Sequence, residues 1–328
     1  MLCFPAAYLP DGYQPSQVLL DKLQPLSFSK RITVYHCPTC GSLMLVSKDG
    51  ENAGINTTWC VVTGTLEQAE GVLELHDHGY VADTLDGGFS DFLVSTGGKA
   101  IGRWPHNYGE GAELPAQWQS PSRPKPAASA EDRLHAHCLC GGIDFYIARP
   151  SERSARDTAA WPDLIIPFNS DKPHPPWETW WLQQGAKKFL AGVCSCDSCR
   201  LASGLEFVEW AFIPTIDITL DAEGKKPFTR DFGTLKHYRS SSVATRHFCG
   251  TCGATIFWDG DERPQLIDVA VGLLNAPEGA RAETWLQWRT ERLSYREDAM
   301  PRAESIILGV EAGLTAHGKR MQGEHTRD

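Results

Sequence analysis

HFCGTCG, residues 247–253, together with HCLCGG, residues 137–142, decides what this chain can fold into. Each stretch is a knuckle, a tight turn that aims two sulfurs the same way: Cys249 with Cys252, and Cys138 with Cys140. Glycines at 141, 250 and 253 let backbone amides turn toward those sulfurs. Four thiolates at about 2.3 Å in a tetrahedral array satisfy a zinc ion fully, so the paired knuckles predict a closed structural site. Such a site joins strands distant in the chain. Its binding free energy, about 10–16 kcal/mol, then becomes part of the folding free energy.

A third cluster differs. GVCSCDSCR, residues 192–200, places Cys194, Cys196 and Cys199 close together. Three sulfurs leave one zinc position for water, substrate or a distant side chain. A zinc ion held that way can take an exogenous sulfur or polarise an oxygen. The alternative is that His237, His247 or Cys60 closes the shell. Arg200, directly after the cluster, is either a surface cation or a bidentate partner for a substrate carboxylate. Two zinc ions per chain are therefore expected.

The chain has eleven cysteines, an odd number, and most sit in tight sets. A secreted disulfide framework is even-numbered and usually belongs to a much shorter chain. A disulfide within CxC or CxxC also closes a strained ring. Metal binding is the better reading. Cys37 and Cys40 form one more CxxC, whose remaining ligands are unaccounted for. Cys60, in WCVV, has the surroundings of a buried strand cysteine.

With 328 residues, 41% of them hydrophobic and 22% charged, the chain suits two domains with an ordinary core. Its formal charge of −10 becomes about −13 when seven thiolates hold two zinc ions. That field repels phosphate backbones, so a nucleic-acid partner is not expected. No apolar run reaches membrane-spanning length. The N-terminus lacks the basic and apolar regions of a signal peptide, and a cytoplasmic location is expected.

CLCGG, CSCDSCRLASG and HFCGTCG, in that order, resemble the signature of the CENP-V/GFA family, the glutathione-dependent formaldehyde-activating enzymes. Spacing and the trailing Arg200 and Gly204 agree, and the resemblance runs from about His137 to Met300. It implies a mainly β, Mss4-like zinc-bound antiparallel domain. It also implies a structural zinc on Cys138, Cys140, Cys249 and Cys252, and a catalytic zinc on Cys194, Cys196 and Cys199 that the sulfur of glutathione can approach. The family's named reaction joins glutathione and formaldehyde into S-hydroxymethylglutathione, which is carbon–sulfur lyase chemistry.

The chain departs from that pattern twice. Between Cys140 and Cys194 lies an insertion, about residues 150–190, rich in tryptophan and proline. It is either a roof over the open site or a surface lobe without a catalytic part. The second departure is a partial repeat. YHCPTCGSLML from Tyr35 resembles RHFCGTCGATIF from Arg246, and TGTLEQAEG (63–71) resembles VGLLNAPEG (271–279). The offsets, 212 and 208, keep the similarity in register. Only Cys3 remains upstream to stand for the other clusters. The copy is thus expected to be degenerate, or the chain to begin late, with an intrachain pseudo-dimer as one outcome.

The expected organisation is a partial copy over 1–111, a Pro/Ser/Ala-rich linker over 112–133, the full domain over 134–310 and a frayed polar tail over 311–328. ITVYHC, TTWCVVTGTL, GGIDFYIA and LEFVEWAFIP read as strands, and PEGARAETWLQWR and residues 301–314 as helices. His76 and His78 are either ligands or a strand-edge pair.

Two functions compete. One is an enzyme acting on thiol adducts, with glutathione as co-substrate and Glu206, Glu209 or His247 as general acid or base. The other is a non-catalytic zinc module that binds a protein partner.

Overall fold

The computed structural model describes residues 6–49, 57–124, 132–168, 170–171 and 179–325. Cys3, the end of the expected linker and the PHPPWE stretch of the insertion lie outside these residues. The fold is mainly β, as the resemblance implies.

Its centre is an eight-stranded sheet. Leu182–Gln183, Lys188–Cys194, Val208–Pro214, Leu266–Ala270, Thr255–Gly260, Ala244–Cys249 and Leu235–Arg239 lie side by side in that order. Leu286–Trp288 pairs in parallel with Lys188–Cys194, and every other pairing is antiparallel. The inner strands KFLAGVC and LIDVA are buried almost throughout, which is why they are apolar runs without alternation. The edge strand Leu235–Arg239 instead exposes Lys236, His237, Tyr238 and Arg239, and such charges discourage edge-to-edge pairing. A three-stranded sheet of Arg133–His137, Asp144–Ala148 and Ile218–Thr219 carries the first knuckle. Its buried Leu134, Phe145 and Ile147 join Ile256, Phe257 and Ile267 in the main core.

The N-terminal sheet, in the order Ala6–Tyr8, Thr58–Val62, Leu43–Lys48, Ile32–His36 and Gln24–Ser27, reproduces part of that pattern. Tyr35 pairs with Leu45 and His36 with Leu43 across a bulge; His247 pairs with Phe257 and Phe248 with Thr255 across another. All four positions differ by 212. On the next strand Leu45 faces Val61 and Phe257 faces Val269, which carries the second offset, 208. Short 3-10 turns follow at Thr63–Thr65 and Val271–Leu273.

The two hairpins also touch reciprocally. Gly41 (φ +80°) lies so close to Phe248 that a Cβ would come within 2.5 Å of the ring. Gly253 (φ +73°) stands in the same relation to His36. Both positions need glycine for conformation and for space.

A buried ion network ties the N-terminal region to the rest. Arg281, only 2% exposed, donates to Asp91 Oδ2 (3.2 Å), Glu283 Oε1 (2.8 Å) and the Gly88 carbonyl (3.0 Å). The Arg281 backbone N–H bonds Asp86 Oδ2 at 2.8 Å.

The first part of the expected linker is docked: Gln117 N–H bonds Asp91, and Arg123 Nε donates to the Glu278 carbonyl. Two expectations need correction. PEGARAETWLQWR is not helical. Gly279 and Ala282 take positive φ, the Glu278 carboxylate caps Thr284, and Trp285 and Trp288 are buried, so packing overrides propensity. The tail is not frayed through its length. A helical segment, Arg296–His325, contains Pro301, breaks at Ala303 and continues with Leu314 and His317 buried. At the break, Glu70 Oε2 accepts the Ser305 N–H at 2.7 Å. No helix is long and apolar enough to cross a membrane among the described residues.

Arg281→Leu leaves Asp86 buried without its cation and Asp91 with the more distant Arg320, at 3.9 Å. It should lower unfolding free energy by about 3–5 kcal/mol, read from denaturant midpoints.

Candidate metal centre and cavity

The sulfurs of Cys138, Cys140, Cys249 and Cys252 all lie within 4.8 Å of one another. Cys140 Sγ is 3.5 Å from both Cys138 Sγ and Cys249 Sγ. Tetrahedral ligands at about 2.3 Å are separated by about 3.8 Å, so the array fits zinc. Amides aim at the sulfurs as the glycines require: Ile143 N–H at Cys138 (3.3 Å), Gly142 N–H at Cys140 (3.4 Å) and Cys252 N–H at Cys249 (3.4 Å). Thr234 Oγ1 lies 3.0 Å from Cys249 Sγ. Hydrogen bonds from the Cys138 and Cys252 thiols hold Cys249 well below the ordinary thiol range, and the bond to Cys249 helps push Cys138 up to about 11. This shell is closed by four cysteines.

Cys194, Cys196 and Cys199 also converge within 4.8 Å, as three ligands. Cys194 ends a central strand, Cys196 caps the helix Asp197–Ser203, and Cys199 sits inside it. The cap bond, from Cys199 N–H to Cys196 Sγ at 3.2 Å, folds the loop back on itself. Thiols of Cys194 and Cys196 bond Cys199 and hold it well below the ordinary range; burial opposes this, while the Arg246 guanidinium and Trp210 N–H add to it. Both of those groups lie 3.4 Å from Cys199 Sγ.

These three cysteines form part of the wall of a cavity of about 860 Å³. Its other walls include Trp210, Phe212 and Trp258 from the sheet, Trp161, Leu164, Ile166 and Phe168 from the insertion, and Tyr295. Residues 160–168 of the insertion therefore help to wall the cavity. Asp163 pins them there. Asp163 Oδ1 accepts from Arg292 Nη2 (2.9 Å), Ser294 Oγ (3.1 Å) and Tyr295 N–H (2.7 Å), and Oδ2 accepts from Phe168 N–H (2.7 Å). Ser195 in turn bonds the Ser294 carbonyl, which locks the cysteine loop to the same segment.

The charged groups lining the cavity are Asp163, Arg246, Glu262, Arg263, Asp268 and Asp298. Arg263 pairs with Asp268, at 2.9 and 3.1 Å, and lies over the rings of Trp258, Phe212 and Trp180. Burial raises the Asp268 carboxyl to about 6; the Arg263 pair opposes the rise and nearby Cys199 adds to it. Arg246 lines the cavity beside Cys199.

The sequence candidates fare unevenly. Arg200 is buried and turned away from the cavity, donating to the carbonyls of Gly64 (2.5 Å) and Leu66 (3.3 Å) and to Asp197. It fastens the cysteine helix to the N-terminal lobe, and the cavity's cations are Arg246 and Arg263. Glu206 is buried in an ion pair with Arg302. Glu209, raised by burial to about 7, is not among the lining residues. His247 Nδ1 meets His237 Nδ1 at 2.8 Å on the sheet edge, so neither histidine joins the three sulfurs. Cys60 is buried in the N-terminal sheet. His78 Nε2 meets the Leu93 carbonyl at 2.8 Å, and neither His76 nor His78 enters a ligand cluster among the described residues. Cys37 and Cys40 keep the knuckle's turn: Gly41 N–H bonds the Cys37 carbonyl at 2.9 Å, as Gly253 bonds Cys249. They gather no further ligand among the described residues. Sequence reasoning missed Asp268 and Arg246, whose signal was a lone charge in an apolar strand, in LIDVA and ATRHFC.

Fold and site together define a mainly β protein with one closed and one open cysteine cluster able to hold metal. Residues 182–290 match a family model described as glutathione-dependent formaldehyde-activating enzyme. That segment holds the open cluster and the second knuckle. No curated protein matches the chain.

Cys249→Ser should leave a protein that folds poorly. Cys196→Ser should remain folded but retain about one zinc fewer per chain, measured by elemental analysis alongside circular dichroism.

Proposed function

We propose that the protein is a zinc-dependent enzyme of carbon–sulfur lyase type that makes or breaks thiol adducts, with glutathione as one co-substrate. The observation that carries this reading is the placement of Cys194, Cys196 and Cys199 in the cavity wall, while the four-cysteine cluster is closed. Zinc bound by the three cysteines would supply an open position for an exogenous sulfur.

The remaining chemistry belongs to the chain. When a thiol adds to an aldehyde, a carbon–sulfur bond forms, the thiol loses a proton and the former carbonyl oxygen gains one. Asp268, with a carboxyl raised to about 6, is the cavity group suited to accept the thiol proton and return it to that oxygen. The buried aromatic walls exclude water from the exchange, and Asp163 holds the insertion side of the cavity in place. Breakdown of an adduct runs the same steps backwards.

The N-terminal lobe fits the reading as a second, partial copy that packs on the full domain as a pseudo-dimer. The shared pairing register and the reciprocal Gly41–Phe248 and Gly253–His36 contacts support this. Its role would be to brace the cysteine helix through Arg200 and Gly64.

Cobalt-substituted protein titrated with glutathione should change its visible spectrum; silence toward every thiol would favour the scaffold reading instead. Turnover of thiol–aldehyde adducts should fall as pH drops through about 6, where Asp268 becomes protonated. Asp268→Asn should be slow by about 10²–10⁴-fold and lack that limb.

A further inference from the structure

Arg246 projects from the strand Ala244–Cys249 into the cavity wall and is only 4% exposed. Two of its three nitrogens are occupied: Nε donates to Ser198 Oγ at 3.1 Å, and Nη2 meets Cys199 Sγ at 3.4 Å. Nη1 is buried with no hydrogen-bond partner. A guanidinium is always charged and carries its donors in a rigid fork, so two fixed nitrogens also fix the direction of the third. The cavity's other arginine, Arg263, already has a carboxylate for its charge, because it pairs with Asp268 and bonds it through Nη2. The lining carboxylate Asp163 is matched in its turn by Arg292.

We propose that Arg246 Nη1 anchors a carboxylate of the substrate, so that the cavity selects thiols bearing a carboxylate a few bonds from sulfur. The inference rests on the reading of this cavity as a thiol site. It adds a recognition element to that site. Because Nη2 touches Cys199, a carboxylate on Nη1 lies about one guanidinium width from the cysteine cluster, which sets a short spacer between the two ends of the ligand. A single free nitrogen suits one carboxylate edge; a phosphate group calls for more donors than remain. Three thiolates and one zinc ion carry a net negative charge, so an anionic ligand here needs a local cation, and Arg246 is the one beside the cluster. The tryptophans at 161, 210 and 258 leave apolar room beyond this polar end for whatever the sulfur carries.

The test compares 3-mercaptopropionate with 3-mercaptopropan-1-ol, which differ at the end away from sulfur, by titration calorimetry on the zinc-loaded full chain. The acid should bind about tenfold more tightly or better. Arg246→Gln should abolish the preference, so that acid and alcohol bind that variant equally. Arg246→Lys keeps the charge without the fork and should retain part of the preference. Equal affinities in the wild type, which needs no variant to fold, would overturn the proposal. So would a preference that survives Arg246→Gln. Absence of binding by both compounds would instead sink the thiol reading of the cavity, and the anchor with it.

Discussion

The fold hangs on the meeting of two sulfur pairs that the chain holds 109 positions apart. Neither knuckle alone offers the four ligands a zinc ion takes, and among the described residues no disulfide links the three-stranded sheet to the far end of the central sheet. Once Cys138 and Cys140 sit against Cys249 and Cys252, the strands that bear them are fixed in angle and register. Phe145, Ile147 and Phe257 then close into one core beneath. A metal ion held there would make binding and hydrophobic burial parts of one transition, because the ligand set does not exist until the sheets meet. The same anchoring orients Ala244–Cys249, and through it places Arg246 at the second cluster.

The second cluster has the opposite logic. Its three sulfurs come from one short loop, so local turns suffice to gather them, and the distant parts of the chain serve to wall the space in front. Besides the sheet strands, the cysteine loop, residues 160–168 of the insertion, and Ser294 with Tyr295 converge there. Asp163 and Ser195 stitch these segments together through hydrogen bonds to a shared strip of backbone and side chain. A buried carboxylate with four donors is well satisfied, which accounts for its standing so far from water. Cohesion of the cavity is therefore polar, although its surface is largely apolar.

Much of this was legible from the residues. Cysteine spacing named both clusters, because CxC and CxxC turns allow few other geometries. Alternation in GGIDFYIA and the apolar stretch LEFVEWAFIP marked strands the structure contains. The repeat offsets survive as strand pairings, since a register is a property of residue number. What sequence could not supply was direction across space. Arg200 follows the cysteines by one position, yet its side chain turns to Gly64 because the helix it sits on docks there. Arg246 and Asp268, remote from the cysteine loop in the chain, line the same cavity because strands of one sheet bring them round. The segment after Pro277 has helical composition, but two buried tryptophans and the Glu278 cap demand a turn. Tertiary packing won over propensity at that point.

Cys140 is the outermost sulfur of the closed cluster, whereas Cys194 and Cys199 lie buried in the cavity wall. An electrophile or oxidant arriving from solvent therefore meets Cys140 before it meets the half-buried Cys196 at the cavity or the deeper sulfurs behind it. Chemical damage that begins at Cys140 would strike the junction between the two sheets, at a distance in the chain from the cavity it helps to support.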